Sequence, residues 1–282
     1  MIQTSDIKQL RKQVKAWKRQ GKTIALVPTM GNLHQGHLSL VEKAKQLADI
    51  TIATIFVNPI QFDKQTDLDT YPRTFDDDIH ALKAQECDLV FSPTVEAMYG
   101  KAETATRVEI SHLGDILEGA SREGHFSGVA TVVTKLFHLA SPDFAIFGEK
   151  DYQQLMVIRR MVEDLNFDIE IIPHSIVREQ DNLAMSSRNG YLTKEERKTA
   201  PALNEALRHI KQQILNGDTN YQDLCTTANS TITKRGFKPD YIEVRTQKEL
   251  AEPNSDDKEL VIVASAWLGK ARLLDNIAFI AK

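Results

Sequence analysis

Cysteine is scarce in this chain: the 282 residues hold two, Cys87 and Cys225, far apart and neither in a Cys-x-x-Cys pair. That excludes a disulfide scaffold, argues against structural zinc, and leads us to expect a reduced, cytoplasmic protein. Long apolar runs are missing too. No stretch approaches the ~18 residues of a membrane span. The opening residues, MIQTSDIKQLRKQVKAWKRQGK, read as a charged amphipathic helix without an apolar signal region. No membrane partner is expected. Excess positive charge is also absent. The formal net charge is −4, which speaks against nucleic acid as a partner. Anionic substrates would have to be held by local Lys, Arg and backbone N–H groups. No internal repeat or low-complexity segment is visible. What is present, 41% hydrophobic and 26% charged residues, suits a globular enzyme of one large or two smaller domains.

Residues 23–48, TIALVPTMGNLHQGHLSLVEKAKQLA, organise the rest. Ile24-Ala25-Leu26-Val27 reads as a buried strand ended by a Pro28-Thr29-Met30-Gly31 turn. A loop then delivers His34-Gln35-Gly36-His37. From His37 the apolar residues Leu40, Val41, Ala44, Leu47 and Ala48 take helical spacing. Two imidazoles thus stand at a helix N-terminus, where unpartnered N–H groups and the macrodipole favour an anion. Gly36 allows backbone to approach a phosphate. Two other readings remain open on the motif alone: a loop with two ordinary histidines, or a metal pair, which lacks a nearby Cys or acid to complete it.

Further along, strands are expected at Ile50–Val57, Leu89–Phe91, Phe144–Phe147 and Ile169–Ile172, with a short edge strand at Thr106–Ile110. Helices are expected from Thr74 to about Gln85, where Thr74-Phe75-Asp76-Asp77 resembles a capping box, and at Val129–Leu139 and Tyr152–Leu165. Ser121–Gly128 reads as a loop. The alternation predicts a doubly wound parallel α/β sheet over residues 1–175, with ligands at the C-terminal strand ends. Beyond it, the polar loop 178–190 precedes one long helix from a Thr193 cap to about Asn216 and another over Tyr221–Arg235. Strands follow at Tyr241–Val244, Leu260–Ala266 and Ile277–Ala281. Residues 176–282 are therefore expected to form a smaller α+β domain.

Several side chains could carry chemistry. Gly148-Glu149-Lys150-Asp151 lies between strand and helix, so its N–H groups and Lys150 can meet phosphate; a solvated turn is the plainer reading. Met185-Ser186-Ser187-Arg188 offers hydroxyls and a guanidinium in a loop, or is simply surface. Within Asp76-Asp77-Asp78, Asp77 and Asp78 could hold Mg²⁺ through water or phosphate, or only complement the helix dipole. His112, His125, His138, His174 and His209 lack mutual metal spacing, and only His125 stands in a glycine loop.

PTMGNLHQGHLSL, FVNPIQF, YPRTFDDD, EGHFSGVATVV, FGEKDYQQL and MSSRNGYL, in this order over residues 23–192, resemble the pantoate–β-alanine ligase (pantothenate synthetase) family. That family belongs to the Rossmann-like HUP/nucleotidyltransferase superfamily related to class I aminoacyl-tRNA synthetases. His34-Gln35-Gly36-His37 corresponds to the superfamily HxGH, and Met185–Arg188 to the KMSKS position without its lysines. The resemblance implies that pantoate attacks ATP to form pantoyl adenylate and pyrophosphate, and that β-alanine then displaces AMP. It implies His34, His37, Lys150 and Arg188 as catalytic groups. It implies ATP contacts from Met30, Gly31, Asn32, Leu33, Gln35, Gly36, Gly148, Glu149, Asp151, Val177, Met185, Ser186 and Ser187 as well. Gln61 and Gln154 would bind pantoate or β-alanine. ATP is a substrate, Mg²⁺ is required, and the family is homodimeric. The second domain is expected to act as a lid over ATP through the Met185–Arg188 loop. A nucleotide-binding regulator, or a transferase stopping after one nucleotidyl transfer, would share the scaffold. The two glutamines argue against both.

Overall fold

Ile24-Ala25-Leu26-Val27 lacks polar alternation, as a strand covered on both faces requires, and all four residues are fully buried inside a parallel sheet. The computed structural model describes residues 1–100 and 106–282. They divide into two compact units, 1–149 with 157–175 and 150–156 with 176–282.

Through residue 175 the elements are β1 (Ile2–Thr4), α1 (Ile7–Arg19), β2 (Ile24–Thr29), α2 (Gln35–Leu47), β3 (Ile50–Ile55), α3 (Gln65–Thr70), α4 (Phe75–Ala84), β4 (Leu89–Phe91), α5 (Val95–Tyr99), α6 (Glu118–Ser121), α7 (His125–Ala140), β5 (Phe144–Gly148), α8 (Tyr152–Asp164) and β6 (Glu170–His174). The sheet order is β1-β4-β3-β2-β5-β6, all parallel. The chain steps outward from β2 to β4, then returns to the other side of β2 for β5 and β6. This is the doubly wound arrangement expected. The reversal opens a crevice at the C-terminal ends of β2 and β5, where such sheets bind ligands. Ala25, Val27, Val90 and Ile146 of the strands pack with Leu40, Val41 and Ala44 of α2 and Leu82 of α4.

Local differences from the sequence reading have identifiable causes. Pro28 does not end β2. The strand continues to Thr29, because pairing with β5 has already stopped at Leu26 and a missing N–H there leaves no ladder gap. The helix after it starts at Gln35, two residues early, because His34 caps it. Residues 106–110 form no strand; the Val108 N–H donates instead to the buried Thr131 hydroxyl at 2.9 Å. Within the supposed loop 121–128, α7 already begins at His125, after Gly124 at φ 75°. Thr74 precedes α4 without a side-chain cap, since its hydroxyl donates to Asp78. β1 was not anticipated: three residues beside a polar helix are too few to show a period.

The second unit holds a 3₁₀ turn at Ser187–Tyr191, α9 (Lys194–Thr199), α10 (Ala202–Leu215), α11 (Tyr221–Lys234), β7 (Phe237–Thr246), β8 (Glu259–Leu268) and β9 (Ala271–Ile280). The three strands form an antiparallel sheet in sequence order. Leu203, Leu207 and Ile210 of α10 and Ile232 of α11 pack with Leu260, Ile262 and Leu273 of the strands. The Thr193–Glu196 capping box forms as read, with N–H···O distances of 2.7 and 3.3 Å. The long helix it opens is broken at Ala200-Pro201, because proline supplies no N–H for the preceding turn.

Candidate active site

In the first unit the two histidines fix one another. His34 is extended (φ −131°), and its Nδ1 accepts the Gly36 N–H at 3.1 Å. His37, in the first turn of α2, accepts the His34 N–H on its own Nδ1 at 3.3 Å. The ring centroids lie 4.1 Å apart. This is a reciprocal cap in which imidazoles replace the usual hydroxyl and carboxylate. With both Nδ1 atoms accepting, the bonding pattern assigns each neutral ring its proton on Nε2. The result is two N–H donors at the start of a thirteen-residue helix, where an anion is favoured.

Asp78 holds the loop before that helix. Its carboxylate is buried and accepts the Asn32 N–H at 2.9 Å, the Leu33 N–H at 2.8 Å and the Thr74 hydroxyl at 3.2 Å. Gly31 (φ +81°) passes so close that a Cβ there would stand 2.8 Å from Asp78 Oδ2. Asp77 and Asp78, the sequence's candidates for Mg²⁺ through water or phosphate, differ in setting. Both Asp78 oxygens are committed to the protein, while Asp77, one residue back, is exposed. Among the described residues no group of three or more His, Cys, Asp or Glu could hold a metal ion.

Gln61 follows β3 in a 3₁₀ turn, buried, with its amide oriented at both ends. Oε1 accepts Asn58 Nδ2 at 2.9 Å, and Nε2 lies 3.1 Å from Met30 Sδ. Asn58 in turn donates to the Gly128 carbonyl at 3.1 Å and accepts the Tyr99 hydroxyl at 2.8 Å. Burial raises the Tyr99 pKa, so its proton stays on. Gly128 of α7 lets the turn approach: a Cβ would fall 2.6 Å from Gln61 Cα. His125 Nδ1 donates to the Gln61 carbonyl at 2.8 Å while its Nε2 faces Arg122 at 3.2 Å. His125 is thus a buried member of the wall behind Gln61. Burial pushes the Cys87 and Cys225 thiols up to about 11, away from nucleophilic chemistry.

At the end of β5, Gly148 is followed by the 3₁₀ turn Glu149–Asp151. In the second unit, Lys150 Nζ lies 3.3 Å from Asp151, and Gln154 sits half-buried in the first turn of α8. A tight hairpin bridges Arg178 to Ala184, and the Met185 N–H donates to the Val177 carbonyl at 3.0 Å. Ser186 then caps the turn carrying Ser187 and Arg188, accepting the Arg188 N–H at 3.2 Å. Asn189 Nδ2 donates to the Ala184 carbonyl at 3.0 Å. What the sequence reads as an open polar loop is closed by its own hydrogen bonds. Sequence reasoning missed Asn58, Tyr99 and Arg178. Asn58 lies inside the quoted FVNPIQF stretch; the other two carry no signal of their own.

The family model described as pantoate-beta-alanine ligase matches residues 2–278. The chain is 53% identical to the pantothenate synthetase of Shewanella amazonensis over 280 residues, 99% of each chain. It is 51% identical to that of Photobacterium profundum, over 96% of this chain and 92% of the relative. A crystal structure of pantothenate synthetase from Thermus thermophilus superposes with a TM-score of 0.91 at 39% identity, covering 98% and 99% of the two chains. The Francisella tularensis pantoate-beta-alanine ligase, complexed with beta-gamma ATP and beta-alanine, gives 0.81 at 37% identity, covering 99% and 97%.

Proposed function

The chain belongs to the pantoate–β-alanine ligase family, and from that premise we propose how its residues divide the work. The reaction is the ATP-dependent condensation of pantoate with β-alanine to pantothenate through pantoyl adenylate, releasing pyrophosphate and AMP. In the first step the pantoate carboxylate attacks the α-phosphorus in line, and pyrophosphate leaves. In the second the β-alanine amine attacks the acyl carbon, the amine loses a proton, and AMP leaves. Both steps are governed by positioning and charge neutralisation.

The observation that carries the assignment is the reciprocal His34–His37 cap, which presents two Nε2–H donors at a helix start. In this reading they meet phosphate oxygens as charge develops. Gly31, Asn32, Leu33, Gln35 and Gly36 line the nucleotide with them, and Met30 and Val177 contact adenine or ribose. Gly148, Glu149, Lys150 and Asp151, with Met185, Ser186, Ser187 and Arg188, serve the triphosphate. Lys150 and Arg188 supply the positive charge. Gln61, fixed by Asn58, and Gln154 hold the hydroxyls and carboxylate of pantoate. Mg²⁺ bound with the nucleotide would help neutralise the triphosphate charge, beside Lys150 and Arg188. Residues 1–175 bind ATP and pantoate, and residues 176–282 act as the lid. The working form is a cytoplasmic homodimer, as the family resemblance implies. Among the described residues no helix is long and apolar enough to cross a membrane.

AMP release tests the whole reading. It is expected to require both pantoate and β-alanine, while exchange of labelled pyrophosphate into ATP requires pantoate alone. Exchange without pantoate would indicate a plain nucleotidyltransferase, and full ligation without exchange would exclude the adenylate.

A further inference from the structure

The centre of β9 carries two adjacent polar residues, Asp275 and Asn276, each only 5% exposed. Neighbours on a strand point to opposite faces, so this dipeptide puts a polar group on both faces of a sheet whose buried positions are mostly apolar. Such burial is unfavourable unless every group is bonded. Each side chain here ends on a different segment. Asp275 accepts both terminal nitrogens of Arg178 at 2.8 Å, Asn204 Nδ2 at 3.0 Å and the Asn276 N–H at 2.7 Å. Arg178 also donates to the Asn182 carbonyl at 3.0 Å, which spans the hairpin that delivers Met185–Arg188. On the other side Asn276 Nδ2 donates to the Lys150 carbonyl at 3.0 Å.

We infer that Asp275-Asn276 is the positioning element for the triphosphate-binding groups: Asn276 sets the Lys150 turn, and Asp275, through Arg178, sets the Met185–Arg188 turn. The inference rests on the assignment of Lys150 and Arg188 to phosphate. Neither Asp275 nor Asn276 touches substrate. Their work is to keep two segments, 97 and 126 residues earlier in the chain, in fixed register with one strand. A displacement of about 1 Å in a charge-neutralising group costs up to about 100-fold in rate, so one strand dipeptide has leverage over both.

The test is a double-mutant cycle on pantoate-dependent pyrophosphate exchange. Asn276→Asp keeps the shape of the side chain but cannot donate to the carbonyl. It is expected to lower kcat/KM for ATP about 10-fold, with the inhibition constant of adenosine unchanged. In a Lys150→Ala background the same change is expected to cost nothing more. A loss of equal size in both backgrounds, or adenosine and ATP weakening together, would show a merely structural residue and overturn the inference. No loss in either background overturns it as well. If Lys150→Ala alone leaves exchange intact, the phosphate assignment fails and this inference falls with it. If Lys150→Ala is severe and Asn276→Asp is silent, only the positioning role fails. For the other arm, Arg178→Lys retains a positive charge beside the buried Asp275 carboxylate while losing the two-pronged grip. It should show the same non-additivity with Arg188→Ala, and additive losses there overturn the role of Asp275. Circular dichroism melting of each variant separates these outcomes from unfolding.

Discussion

In the His34–His37 segment each imidazole is fixed by a backbone N–H two or three residues away, whereas the 178–188 segment is fixed by a carboxylate 97 residues away. The first segment is a strand, a turn and a capped helix, with distant support from Asp78. The second is a short hairpin that buries Leu183 and Ala184, and its Arg178 is held from the middle of β9. A donor pair held by its own helix keeps its geometry as long as the helix stands. A guanidinium held through Arg178 and Asp275 depends on a chain of contacts that any link can break. Changes in the first segment should therefore act on chemistry directly, and changes in the second through placement.

The largest expected effect falls on the local segment. His37→Ala removes one transition-state donor and the acceptor for the His34 N–H. Pantoate-dependent exchange should fall about 10²–10³-fold, with the circular dichroism spectrum retained. Near-normal exchange would reject a catalytic role for His37.

Next comes Asp78, the long-range support of that segment. Asp78→Asn turns an acceptor into a donor facing backbone N–H groups, at a cost of about 1–3 kcal/mol. Exchange should fall about 10-fold, while the Mg²⁺ concentration for half-maximal rate stays where it is. A large rise in that concentration would return Asp78 to the role of metal ligand.

The same contrast accounts for what the sequence made legible. The parallel sheet, the loops at its strand ends and the His34–His37 site follow from periodicity and motif, because their determinants lie within a few residues of each other. Asp78 illustrates the limit. Three consecutive acids at a helix start look alike in sequence, and only the fold turns one of them onto the Asn32 and Leu33 N–H groups. Asp275 and Asn276 were invisible for a stronger reason. Within Leu273-Leu274-Asp275-Asn276-Ile277 they resemble a polar interruption of an apolar strand, and their partners lie 97 and 126 residues distant. Pro201 carries its signal locally: a proline without an N–H stands where the long helix divides.

Arg188→Lys probes the remotely held segment at its tip. Lysine keeps the charge and loses the planar fork, so exchange should slow by about 10-fold while adenosine binding is retained. In the parent protein, amide exchange across residues 180–190 should fall on adding Mg-ATP and remain unchanged with adenosine. If Mg-ATP leaves it unchanged, the turn is not ordered by phosphate and Arg188 is a surface residue.

The smallest effect belongs to the second ion pair of the same hairpin, Asp181 with Arg197 of α9, at 2.5 and 3.2 Å. Unlike Asp275, Asp181 is open to water, with a side chain 43% exposed. Water and salt screen the pair, and exposed pairs contribute about 0–1 kcal/mol. The Arg197 hydrogen bonds nevertheless hold the Asp181 carboxyl below its ordinary value of 3.8. The sign follows from that depression. The stabilisation is fully present above pH 3.8 and is lost as the pH falls through the lower folded-state value. Asp181→Asn should therefore lower the melting temperature near neutrality by no more than about 2–4 °C, leave pyrophosphate exchange unchanged, and differ less from the parent protein as the pH drops below that range. If instead Asp181→Asn costs as much exchange as Arg178→Lys, the hairpin is held at its exposed end, and the distinction between a locally built and a remotely anchored segment would have to be redrawn around α9 rather than β9.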